Sequence, residues 1–269
     1  MVYLKQGMRG PLVVALQIML NRKLPGGVSA LKVDGIFGLK THKAVWAFQK
    51  SHSLAPDGVV AQQTWPVLTG PSLVSLNAID VFDPLLLTSV NKVRAAGGNP
   101  ILIGGMCNGV QQALEMIRAR STGQGSVVLL RFDGHGHDAQ MNVSRGKGHV
   151  PPAGSEDYGE GPYVDADKES NAITVTTLEA LYPKYAALAP IFVSFGSVAM
   201  MGCEVAESEY GVELIRRLAA VWNVPVTAAK QSQQYAFQYI GPTETAYPNG
   251  LDLRSWAASQ AEAAAGMCA

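Results

Sequence analysis

The rhythm of hydrophobic and polar positions changes near residue 75. Before it, apolar residues recur at helical spacing. In "GPLVVALQIMLNRKL" Val13, Leu16, Gln17 and Leu20 fall on one face, and "HKAVWAFQKSH" and "WPVL" continue in the same manner. After it, short apolar runs alternate with amphipathic stretches. "NPILIGG", "SVVLLRF", "PIFVSFGSVAMMGC" and "VPVTAA" read as strands. "DPLLLTSVNKVRAAGG", "NGVQQALEMIRARS", "TLEALYPKYAALA" and "GVELIRRLAAVWN" read as helices. The first of these is closed by glycine, and the second sets Val110, Leu114 and Ile117 on one side. The alternation predicts an α/β unit with a mostly parallel sheet and helices on both faces. "TGPSLVSLN" mixes Gly, Pro and Ser between the two regions, which divides the chain into a helical domain over 1–69, a linker over 70–79 and an α/β domain over 80–269. Towards the end, "YAFQYIGPTETAYPNG" reads as a strand followed by turns, and "SQAEAAAGMCA" as an alanine-rich tail.

A short repeat lies within the first region. "DGIFGLKT" at 34–41 and "DGVVAQQT" at 57–64 both give Asp-Gly, then Thr seven places after the Asp, at an offset of 23 residues. Asp-Gly is turn chemistry, and Thr41 and Thr64 stand where a helix N-cap is expected. Gly7, Gly10, Val14, Leu16, Gln17, Leu20, Asp34, Gly35, Phe37, Gly38, Thr41, Ala44, Val45, Phe48, Gln49, Asp57, Gly58, Thr64, Trp65 and Leu68 together carry a resemblance. Over about residues 3–69 the chain resembles the small helical peptidoglycan-binding domain found on many cell-wall hydrolases, with Ala61 in place of a common glycine. The resemblance implies a three-helix fold and peptidoglycan as partner. A helical unit of this fold that binds something else, or only packs on its neighbour, is the alternative.

Composition narrows the function classes. The chain has 269 residues, 48% hydrophobic and 16% charged, which suits a globular protein with a large core. Its 21 basic and 21 acidic side chains balance, so no net field steers it to nucleic acid. No apolar stretch approaches the roughly 20 residues of a membrane span. The opening "MVYLKQGMRG" lacks the apolar run of a secretory signal, which points to release at lysis or export by a dedicated machine, with action at the cell wall. Cys107, Cys203 and Cys268 are odd in number and irregular in spacing, and form neither a disulfide framework nor a CxxC zinc pair.

The densest chemistry is "RFDGHGHDAQ" at 131–140, directly after an apolar strand. In open α/β sheets, functional groups gather beyond the carboxyl ends of the strands. One reading is a zinc site from Asp133, His135 and His137, with or without Asp138, completed by His149, Glu160 or Asp165. The other needs no cofactor and pairs His135 with Cys203, whose "MGCEVA" loop follows another strand. A nearby imidazole raises the thiolate fraction and later protonates a leaving amine. Cys203 also stands just before a helix whose dipole would favour negative charge, and Glu204 is read as beginning that helix. Cys107 is a weaker nucleophile candidate, and Cys268 is incidental. A third possibility is a buried, purely packing cysteine in a non-catalytic wall-binding protein.

The order strand, His-Gly, strand, Gly-Cys resembles the caspase-like superfamily of cysteine peptidases, which includes gingipains and clostripain. "MGCEVAESEYGVELIRRLAAVWNVPVTAA" is closer still to a bacterial caspase-like domain with a "GC-x-VA" segment, a following Gly, a helix and a strand ending in small residues. The resemblance covers roughly residues 80–235. It implies a caspase-like three-layer sandwich, His135 as general base and acid, Cys203 as nucleophile, and the N–H groups of Gly136 and Cys203 as oxyanion donors. His137 is extra to that pattern, and "RGKGHVPPAGSEDYGEGPYVDADKES" is a polar insert read as a lid or substrate-side loop. The expectation is a wall hydrolase, an endolysin or an exported antibacterial effector, that cleaves an amide bond in the stem peptide. The alternatives are a metal-dependent amidase or peptidase, and a wall-binding protein without catalysis.

Overall fold

A computed structural model describes residues 3–81, 86–104, 109–143, 171–233 and 238–266. Cys107, Cys268, His149, Glu160, Asp165 and the insert at 145–170 lie outside the described residues.

The first region folds into α1 (Pro11–Lys23), α2 (Leu39–Ser51) and α3 (Thr64–Thr69). Pro11 opens α1 at a position where its missing N–H costs nothing. The repeat has a physical meaning. Gln17 Nε2 donates to Asp34 Oδ1 (2.9 Å), Ile36 O (3.1 Å) and Thr41 Oγ1 (3.2 Å). Gln49 Nε2 donates to Asp57 Oδ1 (2.9 Å), Val59 O (2.8 Å) and Thr64 Oγ1 (3.1 Å). Each Gln Oε1 accepts the N–H of the turn glycine, Gly35 or Gly58, and both glycines take φ +70°. A buried helix amide thus ties down each Asp-Gly turn, and every polar atom drawn inside finds a partner. Thr41 and Thr64 are not N-caps. Gly38 and Gln63 precede the helices, while the two threonines are buried and give their hydroxyls to the Gln clusters.

The second region is built on a sheet of order β2-β1-β3-β7-β8-β9. Its strands are β1 (Val74–Asp80), β2 (Ile101–Ile103), β3 (Val127–Asp133), β7 (Phe192–Met200), β8 (Val226–Ala229) and β9 (Thr243–Ala246). All neighbours run parallel except β9, which pairs antiparallel with β8. A small antiparallel sheet of β4 (Gly136–His137), β5 (Gln140–Asn142) and β6 (Ala172–Ile173) stands at the rim.

Several expectations are corrected. Residues 74–79, assigned to the linker, belong to β1, an inner strand between β2 and β3; its Leu76, Ala78 and Ile79 are buried. The loose look of "SLVSLN" came from a strand whose two faces meet different neighbours. "TLEALYPKYAALA" is not one helix but α6 (Val175–Ala180) and α7 (Tyr182–Ala186), broken where Pro183 enters the second position of α7. The late strand is "TETA", and the tail forms α9 (Leu253–Gly266).

Both faces of the sheet are covered, by different parts of the chain. On one face α5 (Gly109–Arg120), α6, α7 and α8 (Glu209–Trp222) pack on Leu76, Ala78, Leu130, Phe132, Val198, Met200 and Val226. Trp222 centres this layer, near the rings of Phe132, Tyr185 and Phe192, and its indole N–H donates to Tyr185 O (3.0 Å). On the other face α4 (Leu87–Ala95) covers Ile79, and α1 covers β3 and β7. The α1 residues Val13 to Leu20 are buried without a break. One continuous core joins them to Val128, Leu129, Phe195, Ala199 and, from α9, Trp256. Arg22 of α1 lies 5.3 Å from the Phe195 ring centroid, within cation–π range. The helical unit is therefore not held by a free tether: it is the second helical layer of the sheet.

This shared core carries a prediction. Phe195 is 1% exposed, and Phe195→Ala should cost about 3–5 kcal/mol. Calorimetry should record one unfolding transition for helical and α/β regions together, shifted down as a unit in this variant; two separable transitions would contradict the shared core.

Candidate active site at the sheet rim

The His-bearing and Cys-bearing loops leave the carboxyl ends of adjacent parallel strands, β3 and β7. They meet backbone to backbone. A Cβ placed on Gly136 would stand 2.6 Å from Cys203 O and 2.8 Å from Cys203 N. A Cβ placed on Gly202 would stand 2.8 Å from Gly136 Cα and 2.7 Å from Met141 Sδ. Only glycine fits at both places, so the residues flanking the contact, His135 and Cys203, are brought to one rim. Both are half-buried. Met201 N–H donates to Phe132 O (2.8 Å) and Ala139 N–H to Val205 O (3.2 Å), fixing the loops below and above the contact. The small sheet holds His135 from its other side through Asn142 N–H to His135 O (2.9 Å).

Asp138 adds a tie that the residue pattern did not reveal. Its carboxylate accepts from Ser208 N–H (3.0 Å) and Ser208 Oγ (2.5 Å). Ser208 caps α8, accepting from Tyr210 N–H (3.1 Å). Asp138 of the His loop thus adds its negative charge to that of Glu209 at the helix N-terminus, a favourable placement. This corrects the expectation for Cys203 and Glu204. α8 begins only at Glu209; Cys203 lies in the turn before it, and Glu204 is a turn residue with φ +59°. Gly211, at the start of α8, lets the helix approach, since a Cβ there would meet Val205 O at 2.1 Å.

A third segment borders Cys203. Gln233 N–H donates to Cys203 Sγ (3.2 Å), Glu204 N–H to Gln231 O (3.2 Å) and Ser232 Oγ to Glu204 Oε1 (2.6 Å). Beneath it, Tyr239 OH reaches Thr227 O (2.8 Å) and Met200 O (3.2 Å). Burial pushes that phenol far above its ordinary range, so it serves as a neutral donor. The sequence pattern gave Ser208 and Gln233 no part here, because both act through backbone groups and side-chain caps that carry no distinctive spacing.

Among the described residues Asp133, His135 and His137 do not gather as a zinc set; His149, Glu160 and Asp165 lie outside those residues. Asp133 points into the sheet's packed face and pairs with Arg131 (2.7 Å), both side chains being buried. Burial pushes the Asp133 carboxyl up, against the downward pull of the guanidinium. His137 is exposed, its Nδ1 accepting from Asp138 N–H (2.8 Å), and Asp138 is committed to Ser208. Among the described residues no three His, Cys, Asp or Glu converge as a metal would require.

Comparison with known proteins speaks to the first region. Residues 9–68 match the family described as "Putative peptidoglycan binding domain". Among solved structures, a peptidoglycan-binding protein from Clostridioides difficile in complex with glutamine hydroxamate is 37% identical over 25% of this chain and 40% of that one, with a TM-score of 0.23. The Burkholderia AP3 phage endolysin is 30% identical over 35% of this chain and 33% of its own, also with a TM-score of 0.23. The chain thus spans less than half the length of each. Among the described residues no helix is long and apolar enough to cross a membrane.

Two expected outcomes follow from the site's packing. Gly136→Ala should cost about 1–3 kcal/mol by forcing the two loops apart, measurable by urea unfolding. Asp133→Ala should destabilise the fold in the same assay, because it removes one carboxylate from a buried ion pair.

Proposed function

We propose that this protein is a cell-wall hydrolase that binds peptidoglycan through residues 9–68 and cleaves an amide bond, in the stem peptide, with Cys203 and His135. The family match of the helical region supports peptidoglycan as the partner. The observation that supports the chemistry is the backbone contact of Gly136 with Gly202 and Cys203, which brings the His135 and Cys203 loops together. The resemblance of the two loops to the caspase-like superfamily agrees with the same roles.

In this reading His135 takes the Cys203 proton, and the thiolate attacks the scissile carbonyl carbon. The N–H groups of Gly136 and Cys203 stabilise the oxyanion that forms. His135 then protonates the leaving amine as the C–N bond breaks, leaving a thioester on Cys203. A water activated by the same imidazole hydrolyses it and restores the thiol. The fixed seating of the helical unit on the sheet would hold the wall at a set position relative to the rim.

Cys203→Ala should bind purified sacculi as the parent does but release soluble muropeptides at least about a thousandfold more slowly. Digestion at the parent rate by this variant would refute the thiol mechanism. EDTA should leave the parent rate unchanged, whereas thiol alkylation should abolish it.

A further inference from the structure

The connection from β8 to β9 holds a group that the reaction above does not use. Its base is closed by Lys230 N–H to Pro242 O (3.0 Å). Within it, the Gln233 side chain works as a two-way staple. Nε2 donates to Gln231 O (2.9 Å), Ser232 O (3.2 Å) and Ile240 O (2.9 Å), while Oε1 accepts Ile240 N–H (2.8 Å). At its far end Gly241, with φ +76°, leaves room for the Gln231 amide, which would lie 2.1 Å from a Cβ there. Gln233 also sends its own backbone N–H to Cys203 Sγ (3.2 Å), and its carbonyl oxygen accepts from the Cys203 thiol (3.5 Å). Ser232 and Gln231, held by the staple, bind Glu204, the residue next to the cysteine.

We infer that Gln233 is a positioning residue for the nucleophile: its side chain locks the connection so that its N–H points at the sulfur and stabilises the anion. A donor aimed at a charged acceptor is worth roughly twice one aimed at a neutral acceptor, and this gain at the short N–H contact opposes the longer S–H···O bond that only the thiol makes to Gln233 O. The geometry also keeps the sulfur from turning away from the Gly136 contact. The inference rests on Cys203 being the nucleophile, but the test below needs no wall substrate.

In the 269-residue chain, Cys107→Ser and Cys268→Ser leave Cys203 as the one thiol, and its alkylation by iodoacetamide is followed by intact mass. Gln233→Ala, and the similarly shaped Gln233→Met, should react about tenfold more slowly than the parent near pH 7. The deficit should vanish near pH 10, about where thiols are anionic with or without the donor. Equal rates near neutral pH would overturn the inference. An equal deficit at both pH values would also overturn it, because blocked access or general loosening acts at any pH. If Cys203→Ala digests sacculi normally while the pH-dependent deficit persists, the hydrolase reading fails and the positioning of the sulfur stands.

Discussion

A parallel sheet cannot leave one face in water, because its inner strands are apolar on both sides. That constraint organises this molecule. The chain between β1 and β8 supplies α5 to α8 for one face, and α4 reaches only part of the other. The rest is closed by α1 from the helical region and by Trp256 of α9. The domain boundary seen in the chain is thus not a boundary in the core. Phe195 and Ala199 of β7 belong to the same apolar cluster as Leu16 and Leu20 of α1.

The rim depends on that sheet being rigid. β3 and β7 deliver the two loops side by side, and no side chain separates them: Gly136 lies against Gly202 and Cys203. Asp138 then anchors the first loop to the cap of α8, and Gly211 lets that helix sit close enough to be reached. Three small devices, a glycine pair, a carboxylate cap and a close-packed helix start, bring together residues nearly 70 positions apart. Each is a matter of steric room or of satisfying a backbone N–H, and none consumes the imidazole or the thiol.

The chain's pattern made much of this legible. Apolar runs of strand length and helices of 3.6 period located β2, β3, β7, β8, α4, α5 and α8. The Asp-Gly repeat marked the two turns that Gln17 and Gln49 hold. The failures have physical causes. β1 hid in a Ser- and Asn-containing stretch because Ser75 and Asn77 face a different environment from Leu76 and Ala78. The docking of α1 was overlooked because only one of its faces was considered. Yet "LVVALQIML" is apolar all round, which is how a helix covered on every side reads. Asp133 looked like part of the histidine cluster, but on a strand it shares a face with Arg131 two residues earlier, and that neighbour takes it into the core. The roles of Asp138 and Gln233 emerge only from tertiary contact.

The doubly covered sheet bears on how such proteins can be assembled from parts. Wall-anchoring units are often pictured as interchangeable cassettes spliced onto unrelated partners by recombination. Here a graft that kept only the surface of the helical unit would leave an oily patch on the α/β partner, prone to self-association. A successful exchange would have to carry a leading helix greasy on its outward side as well, so these two halves are bound to diverge in concert.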